Sequence, residues 1–158
     1  MLVRTLNEAK NRLLPWGPLA IRLTLGTVFI AHGLDKLFGT FGGGGLEATA
    51  QQFAELGLNP PYVQAVMAGF METGGGLLVL LGLVTRLGAL MIASTMVVAI
   101  ATVHWSGGLF ARDGGFEYPL VILGACGYLA VAGGGGLALD AWLLAQVPPL
   151  RRFALQAS

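Results

Sequence analysis

The stretch Phe70-Met71-Glu72-Thr73-Gly74-Gly75-Gly76 sets a carboxylate and three glycines inside a long apolar run. A charged acid at the middle of a bilayer costs about 2.5–3.5 kcal/mol on insertion scales, so in a membrane span Glu72 has to face the protein interior and find a partner. The glycines beside it allow a neighbouring helix to come close. Composition decides that the run is a span. The chain is 55% hydrophobic and 11% charged, with a mean hydropathy of +0.74, where soluble domains carry about 25% charged residues. At 158 residues this is one integral membrane domain.

Several classes fall away on the same grounds. The net charge of +1 contains no basic tract, which leaves nucleic-acid binding without support. Cys126 is the single cysteine, so an internal disulfide, a CxxC redox pair and a cysteine zinc site are excluded. In its apolar run it reads as a small packing residue with an inert thiol. Arg4, Lys10 and Arg12 precede an apolar segment as in a secretory leader. Arg22 interrupts that segment, however, no A-x-A-like site closes it and further spans follow, so a retained first helix is expected.

Residues 1–14 read as a basic amphipathic lead-in, 15–146 as a four-helix transmembrane domain and 147–158 as a cytoplasmic tail. The first span is expected over Pro15–Phe38, opened by Pro15 and Pro18 and broken by the glycine-rich stretch 39–45. Leu46–Leu58 alternates apolar residues with Glu47, Gln51, Gln52 and Glu55, the pattern of a short helix lying at the membrane surface. Spans over Tyr62–Val84, Leu87–Trp105 and Phe116–Ala132 follow, each near the roughly 20 residues that a bilayer core needs. Leu137–Gln146 is a further, partly apolar piece. The fold class is all-α, with both termini on one side. That side (A) gathers Arg4, Lys10, Arg12, Arg86, Arg151 and Arg152. The other (B) has Lys36 and Arg112 among Asp35, Glu47, Glu55, Asp113 and Glu117. The positive-inside rule makes side A, with both termini, cytoplasmic.

The polar residues sort into two groups. From a helical rise of about 1.5 Å per residue, Arg22 lies about 10 Å in from side A and Glu72 about 15 Å in from side B. A buried Arg22–Glu72 ion pair is therefore expected, each charge riding a small-residue stripe: Gly26 and Gly33 on the first helix, Ala65, Gly69 and Gly76 on the second. Such a pair either fixes the register of the bundle or takes part in a protonation or ligand cycle. The second group lies at side B, where His32, Lys36, His104 and Glu117 come to one mouth flanked by Trp105 and Tyr118. No HxxxH or HxxE spacing supports a metal there. The remaining readings are a hydrogen-bonded helix end, and a site that binds and protonates a quinone head group, since imidazole titrates near neutral pH. The runs Gly42–Gly45 and Gly133–Gly136 lack the pattern and the strand-to-helix context of a nucleotide loop.

In this order, Arg22 through His32-Gly33-Leu34-Asp35-Lys36, Glu72-Thr73-Gly74-Gly75-Gly76 with Leu81-Gly82-Leu83-Val84-Thr85-Arg86, His104-Trp105, and Gly115-Phe116-Glu117-Tyr118-Pro119 with Asp140 resemble the DoxX family of small four-helix bacterial membrane proteins, over about 17–143. The resemblance implies a bacterial inner-membrane protein linked to redox complexes, with Arg22, His32, Lys36, Glu72, His104 and Glu117 as a shared polar core and no established catalytic role for any of them. The family's thiosulfate chemistry is not carried over, because this sequence has neither a cysteine suited to it nor a flavin motif. The leading expectation is a quinone-interacting redox component embedded in the lipid bilayer and working with a partner protein or as a homo-oligomer. The alternatives are a non-catalytic assembly subunit and a small proton-coupled transporter.

Overall fold

The computed structural model describes residues 16–146; the basic lead-in at 1–14 and the tail at 147–158 lie outside them. The described residues are helical: α1 Trp16–Phe38, α2 Gly45–Glu55, α3 Pro61–Leu81, α4 Thr85–Ala99, α5 Glu117–Ala132 and α6 Leu139–Gln146. Three stretches are long and apolar enough to cross a membrane: Trp16–Phe38, Pro61–Leu81, and Thr85–Gly107, in which α4 is prolonged. The shorter apolar Glu117–Ala132 completes the four. The all-α membrane bundle expected from composition is the observed fold.

Local chemistry sets the ends. Pro61 stands in the first turn of α3 after Pro60, where a missing N–H leaves nothing unpaired. Gly82 closes α3 in the left-handed region, at φ 70°, and α4 starts at Thr85, making this connection very tight. α4 does not stop at Ala99. It continues as a π turn over Ile100–His104 and a 3-10 turn over Trp105–Gly107, a departure that the sequence pattern does not announce.

Packing is uneven around the bundle. α1 lies along α3, α3 along α4 and α4 along α5, whereas α1 and α5 touch only sparsely; α2 packs on α1 and α3. Backbone approaches backbone where the glycine stripes meet. A Cβ on Gly33 would sit 2.5 Å from the Thr73 nitrogen and 2.7 Å from the Gly69 oxygen, and one on Gly75 would sit 2.9 Å from the Gly88 oxygen. Leu25 and Phe29 of α1, Val79 of α3, Ala89 and Ile92 of α4, and Ile122, Cys126 and Leu129 of α5 form the buried core. Cys126 is thus a packing residue, as its setting suggested. The core fills the side A half and the middle of the bundle. Toward side B the same helices enclose space.

Candidate functional site

Glu72 does face inward, at 4% exposure, but its partner is not Arg22. Lys36 Nζ donates to Glu72 Oε2 at 2.7 Å. The glycine contacts explain the exchange. Gly33 lies between Gly69 and Thr73, and Gly26 between Gly76 and Leu80. That register puts Glu72 level with about residue 32 of α1, one turn below Lys36, whose stem reaches inward along the apolar wall. Arg22 falls some ten residues, about 15 Å, further toward side A.

Arg22 instead closes a helix end. The last carbonyls of a helix lack the i+4 amide, and in α3 the Gly82 cap amide reaches Val79 O at 3.2 Å. The guanidinium, buried at 2% exposure, donates from Nε to Val79 O at 3.0 Å, from Nη2 to Leu80 O at 3.0 Å and from Nη1 to Gly134 O at 2.9 Å. One side chain thereby ties α1, the end of α3 and the glycine-rich turn after α5. Asp140 completes this node: its amide donates to Gly82 O at 3.0 Å and its Oδ2 accepts from the Thr85 amide at 3.4 Å. Arg86 acts likewise at the end of α5, with Nη2 to Val131 O at 3.2 Å.

At side B a cavity of about 500 Å³ opens between the helices, within the range of small-molecule sites. His32 and Lys36 of α1, Glu72 of α3, His104 at the end of the π turn and Tyr118 of α5 all line it. Four of the six expected polar residues therefore share one chamber. Arg22 does not reach it, for the register given above. Glu117 does not line it either: Pro119 and Ile122 form the inward phase of α5, Tyr118 reaches the cavity from the edge of that face, and Glu117 lies about 200° off Pro119. The lid over the cavity is α2, through Gln52 and Phe53, with Leu56, which caps the helix. Thr49 Oγ1 shares its one proton between Gly45 O of its own helix at 2.9 Å and Lys36 O of α1 at 3.2 Å, while Asp35 Oδ1 accepts the amides of Phe41 and Gly43 at 2.9 Å each and shapes the loop leading to α2.

The sequence reading missed Gln52, Gln64, Ser94, Thr95 and Thr102, which also line the chamber. Ser94, Thr95 and Thr102, hydroxyls in a mostly apolar stretch, were the available signal. Each hydroxyl turns back on its own helix: Ser94 to Met91 O at 2.7 Å, Thr95 to Ile92 O at 2.8 Å and Thr102 to Val98 O at 2.8 Å. His104 Nδ1 lies 2.9 Å from Gly114 O. A carbonyl oxygen only accepts, so Nδ1 carries the proton, and in the neutral ring Nε2 is an acceptor.

Comparison with known proteins adds the following. Residues 17–105 match the family model described as DoxX, a narrower stretch than the resemblance traced over 17–143. The chain is 35% identical over 130 residues to the Bacillus subtilis (strain 168) protein named "Putative oxidoreductase CatD", covering 82% of this chain and 89% of that one. It is 31% identical over 127 residues to "Inner membrane protein YphA" of Escherichia coli (strain K12), covering 77% and 86% respectively. No solved structure matches.

Proposed function

Because the chain belongs to the DoxX family, we propose that it is a multi-pass inner-membrane redox component whose side B cavity takes a quinone-like head group. The observation that carries this reading is the chamber itself, where His32, His104 and the Lys36–Glu72 pair share one mostly apolar cavity of about 500 Å³. A quinone needs a polar partner at each oxygen and a route for protons. The two imidazoles, the carboxylate and the ammonium supply groups that hydrogen-bond and groups that change protonation. One relative is named as a putative oxidoreductase and the other as an inner-membrane protein, which accords with this assignment. With no flavin motif and one buried cysteine, electrons would enter or leave through a partner protein. The excess of basic residues on side A supports a cytoplasmic position for both termini, with the cavity in the outer leaflet. A carboxy-terminal reporter active only outside the cytoplasm would reverse that orientation.

The test is titration of purified protein with a quinone analogue. Wild type is expected to bind, with at least tenfold weaker binding in the His32→Ala/His104→Ala variant. Equal affinity in the two proteins removes the site. A second reading, a non-catalytic assembly subunit, is favoured by Arg22, whose three hydrogen bonds serve the end of α3 and the turn after α5. It predicts that changes at Arg22 impair accumulation whereas the two histidines tolerate replacement.

A further inference from the structure

The walls of the chamber differ in what they offer a ligand. Along the α4 wall every polar proton with an assigned partner is already given away. Ser94, Thr95 and Thr102 donate to carbonyls of their own helix, and the Nδ1 proton of His104 goes to Gly114 O. What remains on that wall is acceptors: three hydroxyl lone-pair sets and Nε2, which has no hydrogen bond among the described residues. Lys36, across the chamber, keeps N–H groups beyond the one directed at Glu72. An oxygen lone pair accepts those whether it belongs to a carbonyl or to a hydroxyl. Gln52 and Gln64 offer both a donor and an acceptor. His32 and Tyr118, which also line the chamber, offer both as well. The groups that discriminate are therefore the α4 wall and the acceptor-only carboxylate of Glu72, and both favour a ligand O–H.

We propose that the cavity holds the reduced, dihydroxy form of its ligand more tightly than the oxidised, dicarbonyl form. A phenolic O–H donates to His104 Nε2 or to a hydroxyl oxygen of α4, whereas a carbonyl there sets acceptor against acceptor and leaves a polar group unpaired. The proposal rests on the quinone-site reading and specifies the redox state that the site favours. It depends on the π turn, which carries Thr102 and His104; π turns inside α-helices are frequent at functional sites.

The experiment uses the full chain in lipid nanodiscs under argon at pH 8. Three probes share one short-tailed ring: the benzoquinone, its chemically reduced hydroquinone, and the hydroquinone dimethyl ether, which has the reduced ring but no proton to donate. The hydroquinone is expected to bind about tenfold more tightly than the other two, a difference of about 1.4 kcal/mol. In His104→Gln, whose amide both donates and accepts, the preference is expected to fall to about twofold or less with binding retained. The comparison among probes needs no variant, so it stands even if that protein accumulates poorly. Equal affinity for hydroquinone and dimethyl ether overturns the preference and leaves the quinone site intact. Binding of none of the three overturns both.

Discussion

Replacing Arg22 by Gln tests the register of the whole bundle. The guanidinium makes three charge-assisted hydrogen bonds at 2.9–3.0 Å, two of them to the last carbonyls of α3, of which Val79 O also accepts the Gly82 amide at 3.2 Å. Hydrogen bonds to charged groups contribute about 1.5–3 kcal/mol each. Gln is shorter and at best replaces one, so loss of the other two destabilises the protein by about 3–6 kcal/mol on the same scale. Arg22→Lys keeps the charge but not the fork that serves separate oxygens at once; its expected loss is about 2–3 kcal/mol, roughly that of one such bond. Arg86→Gln is the control. Its single bond to Val131 O is exposed, and the expected change is below about 1 kcal/mol. Unfolding in mixed micelles by titrated SDS, followed through tryptophan fluorescence and circular dichroism, ranks the three variants. An Arg22→Gln protein within about 1 kcal/mol of wild type, or no more affected than Arg86→Gln, would refute the reasoning, because losing two buried charge-assisted hydrogen bonds cannot be that cheap.

Three further outcomes are expected. In a double-mutant cycle, Lys36→Met and Glu72→Gln couple by about 1–3 kcal/mol, while Arg22→Gln and Glu72→Gln add within about 0.5 kcal/mol; the same SDS assay reads both cycles, and the reverse pattern would restore the Arg22–Glu72 pair. Gly33→Ala drives a methyl into the backbone of α3 and costs about 1–3 kcal/mol, whereas Gly124→Ala, with nothing within 4 Å of the added carbon, is neutral or gains up to about 1 kcal/mol. Val84 holds a β-branched side chain at φ 44° and is half exposed, so Val84→Gly relieves backbone strain and raises stability by about 1 kcal/mol in the net.

What the sequence made legible follows from period and solvent preference. Apolar runs with glycine and proline breaks placed the four spans to within a few residues of Trp16–Phe38, Pro61–Leu81, Thr85–Gly107 and Glu117–Ala132. The stripes through Gly26–Gly33 and Gly69–Gly76 do face one another. The polar mouth was legible because His32, Lys36 and His104 sit at helix ends of one side. The partner of Glu72 was not. Counting depth from span ends assumes that antiparallel helices end flush, whereas interlocking glycines set a register in which Arg22 is level with the end of α3. An arginine also needs no carboxylate when unpaired carbonyls of a helix end lie within reach. Glu117 failed for a smaller reason, one residue of helical phase. The π turn at Ile100–His104 failed because its extra residue per turn leaves no mark on an evenly apolar segment.

The chamber ends where Leu25, Phe29, Val79 and Ile92 close ranks beneath Glu72. It is a vestibule with a floor. If the chamber takes a quinone as proposed, hydrogen ions taken up or released there exchange with the side B aqueous compartment alone, and whether turnover moves charge across the membrane depends on the side to which the partner carries the electrons.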